Sequence, residues 1–240
     1  MRLLVSVRDP REARAAVAGG ADVVDAKDPA RGALGAVRAD RLAAIRRAVG
    51  AARPVSAALG DARDDATVAA AAAAARGVAF VKLGFGGVTS ASQAQRLARA
   101  ARRGAGTTAV VLVAYADWRR AASLAPDRLL AVAVETGAAG LLLDTAWKDA
   151  PLFALWSTGA VASWIAAVRA TGLFAALAGS LAGRDFATAR ALGAGLVGVR
   201  GAACIGGRRG RVSRARVAVL QRLVRAAPSP TLTLPLGVLA

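Results

Sequence analysis

The 240-residue chain contains no histidine. That excludes every catalytic arrangement built on an imidazole, Ser-His-Asp and Cys-His included, and every metal site that needs a histidine ligand. It has one cysteine, Cys204, so an internal disulfide and a paired-cysteine zinc site are excluded as well. A reduced, cytoplasmic setting is the expectation that follows. Aromatic residues make up only 4 % of the chain, too few to interleave with its basic residues as a base-stacking surface requires. Long apolar runs are also few. Residues 1–7 are too short an apolar run for a signal peptide. Residues 150–168 carry no charge and are long enough to span a bilayer, but Pro151, Ser157, Thr158, Gly159 and Ser163 interrupt them. The segment reads as a loop followed by a buried helix, and no membrane partner is expected.

Acidic residues number 15 against 33 Lys and Arg, a formal net charge of +18. A basic nucleic-acid-binding protein is the non-enzyme alternative that such a balance raises. The arginines, however, recur at helical spacing along the whole chain, as in Arg96, Arg99, Arg102 and Arg103. That is the pattern of solvated helix faces rather than of one binding stripe, and no nucleic-acid partner is expected.

What the chain does have is apolar mass, 56 % of residues, enough for a substantial core. Short β-branched runs alternate with Ala-rich amphipathic stretches. Strands are predicted at 3–7, 23–26, 55–59, 80–83, 109–114, 141–144, 174–177 and 196–199. Helices are predicted at 10–18, 40–49, 65–75, 92–102, 126–136, 160–170, 186–192 and 214–225. Glycines such as Gly77, Gly104, Gly137 and Gly193 stand where the helices stop. Eight β-α units without a break predict an α/β fold of the (β/α)8 TIM-barrel type, one catalytic domain over residues 1–225. An open doubly wound sheet is the alternative, but the Gly-rich dinucleotide turn after the first strand is missing. Residues 226–240 hold three prolines and no charge, and are expected to form a poorly ordered tail.

Lysine is rare: Lys27, Lys82 and Lys148 are the only three. At an ordinary surface position arginine replaces lysine at little cost, but it cannot supply a deprotonatable amine. All three lysines fall at or just beyond the C-terminal ends of predicted strands, the face on which barrel enzymes carry their active sites. Asp25 precedes Lys27 by two residues on one strand, so both side chains point to the same face. Asp144 precedes Lys148 by four. In a buried barrel mouth each carboxylate needs a cation, and Lys27 and Lys148 are the expected partners of Asp25 and Asp144. Asp61 and Asp117 also follow strands, in positions compatible with turn or cap roles alone. Amines crowded into one mouth depress each other's pKa, and burial acts the same way. Without imidazole, imine formation with a carbonyl substrate is the natural chemistry, and an aldolase-type reaction the class it suggests. The loops after strands 7 and 8 supply Gly179 and Ser180, then Arg200, Gly201 and Ala202, a small-residue setting for a phosphate group with an arginine beside it. Cys204 lies in the second loop and reads as a small packing residue rather than a nucleophile.

Seven ordered blocks carry a further signal: DAKDPARGALGA at 25–36, SAALGD at 56–61, VKLG at 81–84, YAD at 115–117, LDTAWKD at 143–149, ALAGS at 176–180 and VGVRGAACIGG at 197–207. Together they resemble the (5-formylfuran-3-yl)methyl phosphate synthase family, also called 4-(hydroxymethyl)-2-furancarboxaldehyde-phosphate synthase. The resemblance runs from residue 1 to about residue 225. It implies a TIM barrel without an organic cofactor or a metal. The implied reaction joins two molecules of glyceraldehyde 3-phosphate, with loss of one phosphate and two waters, and feeds methanofuran biosynthesis. By the same resemblance Lys27 is the imine-forming lysine, Asp25 its neighbouring acid/base, and Lys82 a second amine. Asp144 and Lys148 are the pair that moves protons during dehydration. The residues alone do not divide the work among the three lysines. Asp28 and Ala150 depart from the family pattern, where an amide and a glycine are expected; neither removes a catalytic group. Another Schiff-base aldolase or triose-phosphate lyase would keep the same barrel and lysines. A homo-oligomer suits such a barrel, and the sequence does not set its stoichiometry.

Overall fold

A computed structural model describes residues 1–225. The tail expected at 226–240 lies outside the described residues. Eight parallel strands close into a barrel in sequential order. They are β1 (Arg2–Val7), β2 (Val23–Ala26), β3 (Val55–Asp61), β4 (Phe80–Gly84), β5 (Ala109–Tyr115), β6 (Gly140–Asp144), β7 (Phe174–Leu177) and β8 (Leu196–Val199). The helices α1 (Pro10–Ala18), α2 (Ala39–Val49), α3 (Asp65–Ala74), α4 (Ala91–Ala105) and α5 (Pro126–Glu135) follow the first five strands in turn. Beyond β6 come a single turn, α6 (Leu152–Leu155), and then α7 (Thr158–Ala170); α8 (Asp185–Ala191) and α9 (Arg214–Arg225) complete the ring.

The period-2 alternation of each strand separates two cores. Outward residues such as Leu3, Val5, Val24, Val81, Leu112, Leu141 and Val197 pack against the helices. Inward residues such as Leu4, Val23, Val111, Leu142, Ala176 and Leu196 fill the barrel. Phe80 and Phe174, the first residues of β4 and β7, meet edge to face at 6.1 Å at the N-terminal end of the barrel. Polar side chains enter the interior only higher up. Ser6, Asp25 and Ser56 stand side by side on β1, β2 and β3.

Helix starts follow capping chemistry. Asp9 accepts from the Glu12 amide ahead of Pro10, Asp64 from the Thr67 amide, and Ser157 from the Ala160 amide. The uncharged stretch at 150–168 is split at Trp156 and Ser157 between α6 and α7. Among the described residues no helix is long and apolar enough to cross a membrane.

Five strands run further than predicted, β1, β4, β5 and β6 by one residue and β3 by two. β3 continues to Asp61 through an irregularity after Ala58, where Gly60 takes φ +92°. The extension turns Asp61 to meet the Tyr115 hydroxyl at 2.6 Å and the Gly86 amide at 2.9 Å. Gly84 packs against this point, and a Cβ there would lie 2.3 Å from Asp61 Oδ1. An unpredicted hairpin, β9 (Cys204–Ile205) with β10 (Arg211–Val212), follows β8. Two-residue strands leave no periodicity to read in a sequence.

Candidate active site

The C-terminal mouth of the barrel gathers all three lysines and both carboxylates expected there. Lys27 follows β2, Lys82 lies within β4, Asp144 ends β6 and Lys148 sits in the loop beyond it. A cavity runs into the mouth, walled by Lys27, Lys82, Asp144 and Lys148 on its polar side and by Phe80, Val111, Leu142 and Phe174 below.

The pairing differs from the expected one in a single respect. Asp25 is paired with Lys82, not with Lys27: Lys82 Nζ lies 2.7 Å from Asp25 Oδ2. Lys82 is two residues further along the neighbouring side of the barrel and reaches back over Ala58, its register partner on β3. Ser6 Oγ and Ser56 Oγ also donate to Asp25, at 2.9 and 2.8 Å. Neither serine was singled out from sequence. The available signal was a lone hydroxyl at an inward position of an otherwise apolar strand. Burial alone would raise the Asp25 pKa, but the Lys82 and Lys27 cations and these hydrogen bonds hold it below its ordinary value.

Asp144 and Lys148 pair as expected, Nζ to Oδ1 at 2.6 Å. Lys148 Nζ also donates to the carbonyl and the hydroxyl of Thr145. Burial pushes the Asp144 pKa up, and Lys148 and Lys27 outweigh it, leaving the group ionised below the usual carboxylate range. Asp117 accepts from the Ala146 and Trp147 amides at 2.8 and 2.9 Å. It braces the loop that carries Lys148, the turn role considered for it.

Three amines therefore face two carboxylates, and Lys27 is the one left over. Among the described residues its ammonium makes no ion pair and no hydrogen bond. It is only 8 % exposed. Burial and the Lys82 charge lower its pKa from 10.5 to about 7, against the opposing pull of Asp144 and Asp25. With Lys27 neutral, two cations face two carboxylates; burial, the largest contribution, and the Lys82 charge are the physical reasons the proton leaves this amine.

The phosphate-loop residues divide. Gly179 and Ser180 line the cavity; Gly201 and Ala202 do not, being drawn into a short 3-10 turn, Gly201–Ala203. Ser180 holds φ +56° and Gly179 φ +102°, where a Cβ on Gly179 would meet Thr145 Cγ2 at 3.0 Å. Arg200 also borders the cavity, but its expected part as a phosphate ligand is corrected by its bonding. Its Nη1 and Nη2 grip the buried Glu12 carboxylate at 2.9 and 3.2 Å. The remaining N–H groups reach the carbonyls of Ser6, Arg208 and Gly210. Five donors are committed, and a guanidinium has five. Arg200 thus fastens the β8 loop and the hairpin to α1. Glu12 lies 188 residues away in sequence, which is why no local pattern announces the pair. Cys204 is buried at the hairpin, and burial pushes its thiol pKa up, away from nucleophilic use.

The family model described as 4-HFC-P synthase matches residues 3–221 of this chain. The chain belongs to the 4-HFC-P synthase family. It is 37 % identical over 235 residues to the (5-formylfuran-3-yl)methyl phosphate synthase of Methanocaldococcus jannaschii, covering 94 % of this chain and 100 % of that one. It is 40 % identical over 218 residues to the enzyme of the same name from Methanopyrus kandleri, covering 88 % and 92 %. Among solved structures, 3-hexulose-6-phosphate synthase superposes with a TM-score of 0.61 over 91 % of this chain and 99 % of that one, at 17 % identity. That likeness is one of fold. In this member of the 4-HFC-P synthase family, no group of three or more His, Cys, Asp or Glu among the described residues is placed to hold a metal ion. The residues at the mouth offer amine and carboxylate chemistry.

Proposed function

We propose that this protein condenses two molecules of glyceraldehyde 3-phosphate into (5-formylfuran-3-yl)methyl phosphate, releasing one phosphate and two waters, as a step in methanofuran biosynthesis. Family membership supports the product. The observation that carries the mechanism is the unpaired, buried amine of Lys27, with a pKa of about 7. An amine of that pKa is substantially unprotonated near neutral pH and attacks an aldehyde, losing water to form an iminium.

The iminium acidifies C2 of the first triose. Loss of that proton gives an enamine, which expels the C3 phosphate and leaves an unsaturated iminium. The substitution pattern of the furan then requires the new carbon–carbon bond to join this C3 to C2 of the second triose, which keeps its phosphate. The C2 proton of the second triose departs as its carbon adds. The hydroxyl of the first triose closes onto the aldehyde of the second, two waters leave, and hydrolysis of the imine returns Lys27. Asp144 and Lys148, held 2.6 Å apart at the open side of the mouth, are the pair suited to exchange these protons. Asp25 and Lys82 lie deeper; burial and the Lys82 cation favour the neutral form of Lys27, against the opposing pull of Asp25. The retained phosphate sits against the Gly179–Ser180 loop.

Borohydride reduction in the presence of glyceraldehyde 3-phosphate, with peptide mapping and a phosphate-release assay, tests this reading. An adduct on Lys27 together with phosphate release is expected. An adduct without phosphate release points to another aldolase and removes the furan-forming assignment. Phosphate release with no adduct on any lysine removes the covalent mechanism.

A further inference from the structure

The mouth carries a second cavity, outside the barrel, walled by Gly32, Tyr115, Arg120, Trp147 and Arg209 and by Asp61, whose carboxylate is held by the Tyr115 hydroxyl and the Gly86 amide. It shares two residues with the barrel cavity, Lys148 and Arg208. Arg208 belongs to the β9–β10 hairpin and crosses to the loop after β2, where Nη2 donates to the Gly32 carbonyl at 2.9 Å and Nη1 to the Pro29 carbonyl at 3.4 Å. These contacts use two of its five N–H groups. Among the described residues it has no carboxylate partner, unlike Arg200 on the same loop, which is saturated by Glu12. Arg208 is half-buried, and the cations nearest to it include Arg200 and Arg209. A desolvated guanidinium with free donors and like-charged neighbours, whose opposing charge comes only from Asp144, itself paired with Lys148, is suited to take an anion. Arg120, stacked at 4.3 Å over the Trp147 ring, is paired with Asp149 at 2.6 Å, which leaves Arg209 as the further cation on this wall.

We propose that this outer cavity binds a second phosphate monoester, with Arg208 as its bidentate ligand, and that the ester's carbon end points through the wall shared with Lys148 toward Lys27. The inference rests on the reading above in one respect: a reaction of two triose phosphates needs two phosphate positions, and the Gly179–Ser180 loop supplies one. Arg208 fits planar, two-pronged recognition of a phosphate, whereas lysine would not.

Calorimetric titration with glycerol 3-phosphate, which has the phosphate but no aldehyde, separates the site from the chemistry. The native protein is expected to bind two equivalents. Arg208→Ala is expected to keep the tighter equivalent, which shows that the barrel is intact, and to weaken the other by roughly 10- to 100-fold. Arg208→Lys is expected to recover only part of that loss. Exposed Arg99 on α4 is the control: Arg99→Ala is expected to leave both equivalents unchanged. One equivalent in the native protein, two undiminished equivalents in Arg208→Ala, or equal losses in Arg99→Ala would each overturn the proposal. Two native equivalents, one of them lost selectively in Arg208→Ala, in a protein that makes no furan from glyceraldehyde 3-phosphate, would leave the site standing and remove the furan-forming reading alone.

Discussion

The two ion pairs that flank Lys27 are built from the same residue types and behave differently because of where they lie. The inner pair, Asp25 with Lys82, is sealed: both side chains are at most 3 % exposed, and two serine hydroxyls complete the carboxylate's shell. The outer pair, Asp144 with Lys148, leaves the lysine side chain 20 % exposed and surrounds it with acceptors from one loop. The inner pair therefore acts as fixed charge, and the outer one can exchange protons with substrate and solvent. Lys27, between them, has neither a partner nor free access to water, and its proton is the one the cluster sheds.

The comparison can be broken most sharply at its centre. Lys27→Arg keeps a cation but removes the amine, and the condensation rate is expected to fall on the order of a thousandfold or more, measured as phosphate release. Next, Lys82→Met strands a buried carboxylate, and a loss of about 3–5 kcal/mol in denaturant-unfolding stability is expected. Lys148→Met, made at the half-open pair, is expected to cost less, about 1–3 kcal/mol, while slowing turnover. If the two lysine variants lose equal stability, the distinction between a sealed and an open pair is wrong.

The smallest effect is also the most diagnostic. On the proposed imine mechanism Lys27 attacks as the neutral amine, so kcat/KM is expected to rise with pH through about 7 and level off above it. Lys82→Gln removes a cation that lowers the Lys27 pKa and leaves the Asp25 charge that raises it, so this limb is expected to move to higher pH. An unmoved limb would show that the inner pair does not tune Lys27. The linkage to stability has a definite sign. A lysine depressed in the folded state binds fewer protons than in the unfolded chain between about pH 7 and 10.5, so its contribution to stability grows across that window as pH rises.

The barrel was legible because its parallel strands are buried on both faces and its helices repeat every 3.6 residues, both of which are local patterns. Leu196–Val199 and Arg214–Arg225 fall where the pattern places them. The β9–β10 hairpin and the 3-10 turns Pro29–Arg31 and Gly201–Ala203 were not, since pieces this short have no period. At the site, rarity did the work: three lysines in a chain that otherwise uses arginine marked the mouth. Partner choice was not legible. Spacing along β2 set Asp25 beside Lys27, yet the barrel's curvature brings Lys82 across from β4 to claim that carboxylate. Arg200 shows the same limit, its position in a phosphate-type loop outweighed by Glu12 beneath it.

The alternation of strands and helices, the barrel end where the amines and carboxylates gather, and the identity of those groups are written in the order of residues alone. These follow from periodicity and from the side-chain chemistry that a histidine-free chain retains. Packing in three dimensions sets which amine goes unpaired, which arginine is spent on holding a loop, and which still has donors to offer. Those outcomes depend on distances of a few ångströms between residues up to 194 positions apart, where burial turns small differences in partner geometry into large differences in charge state.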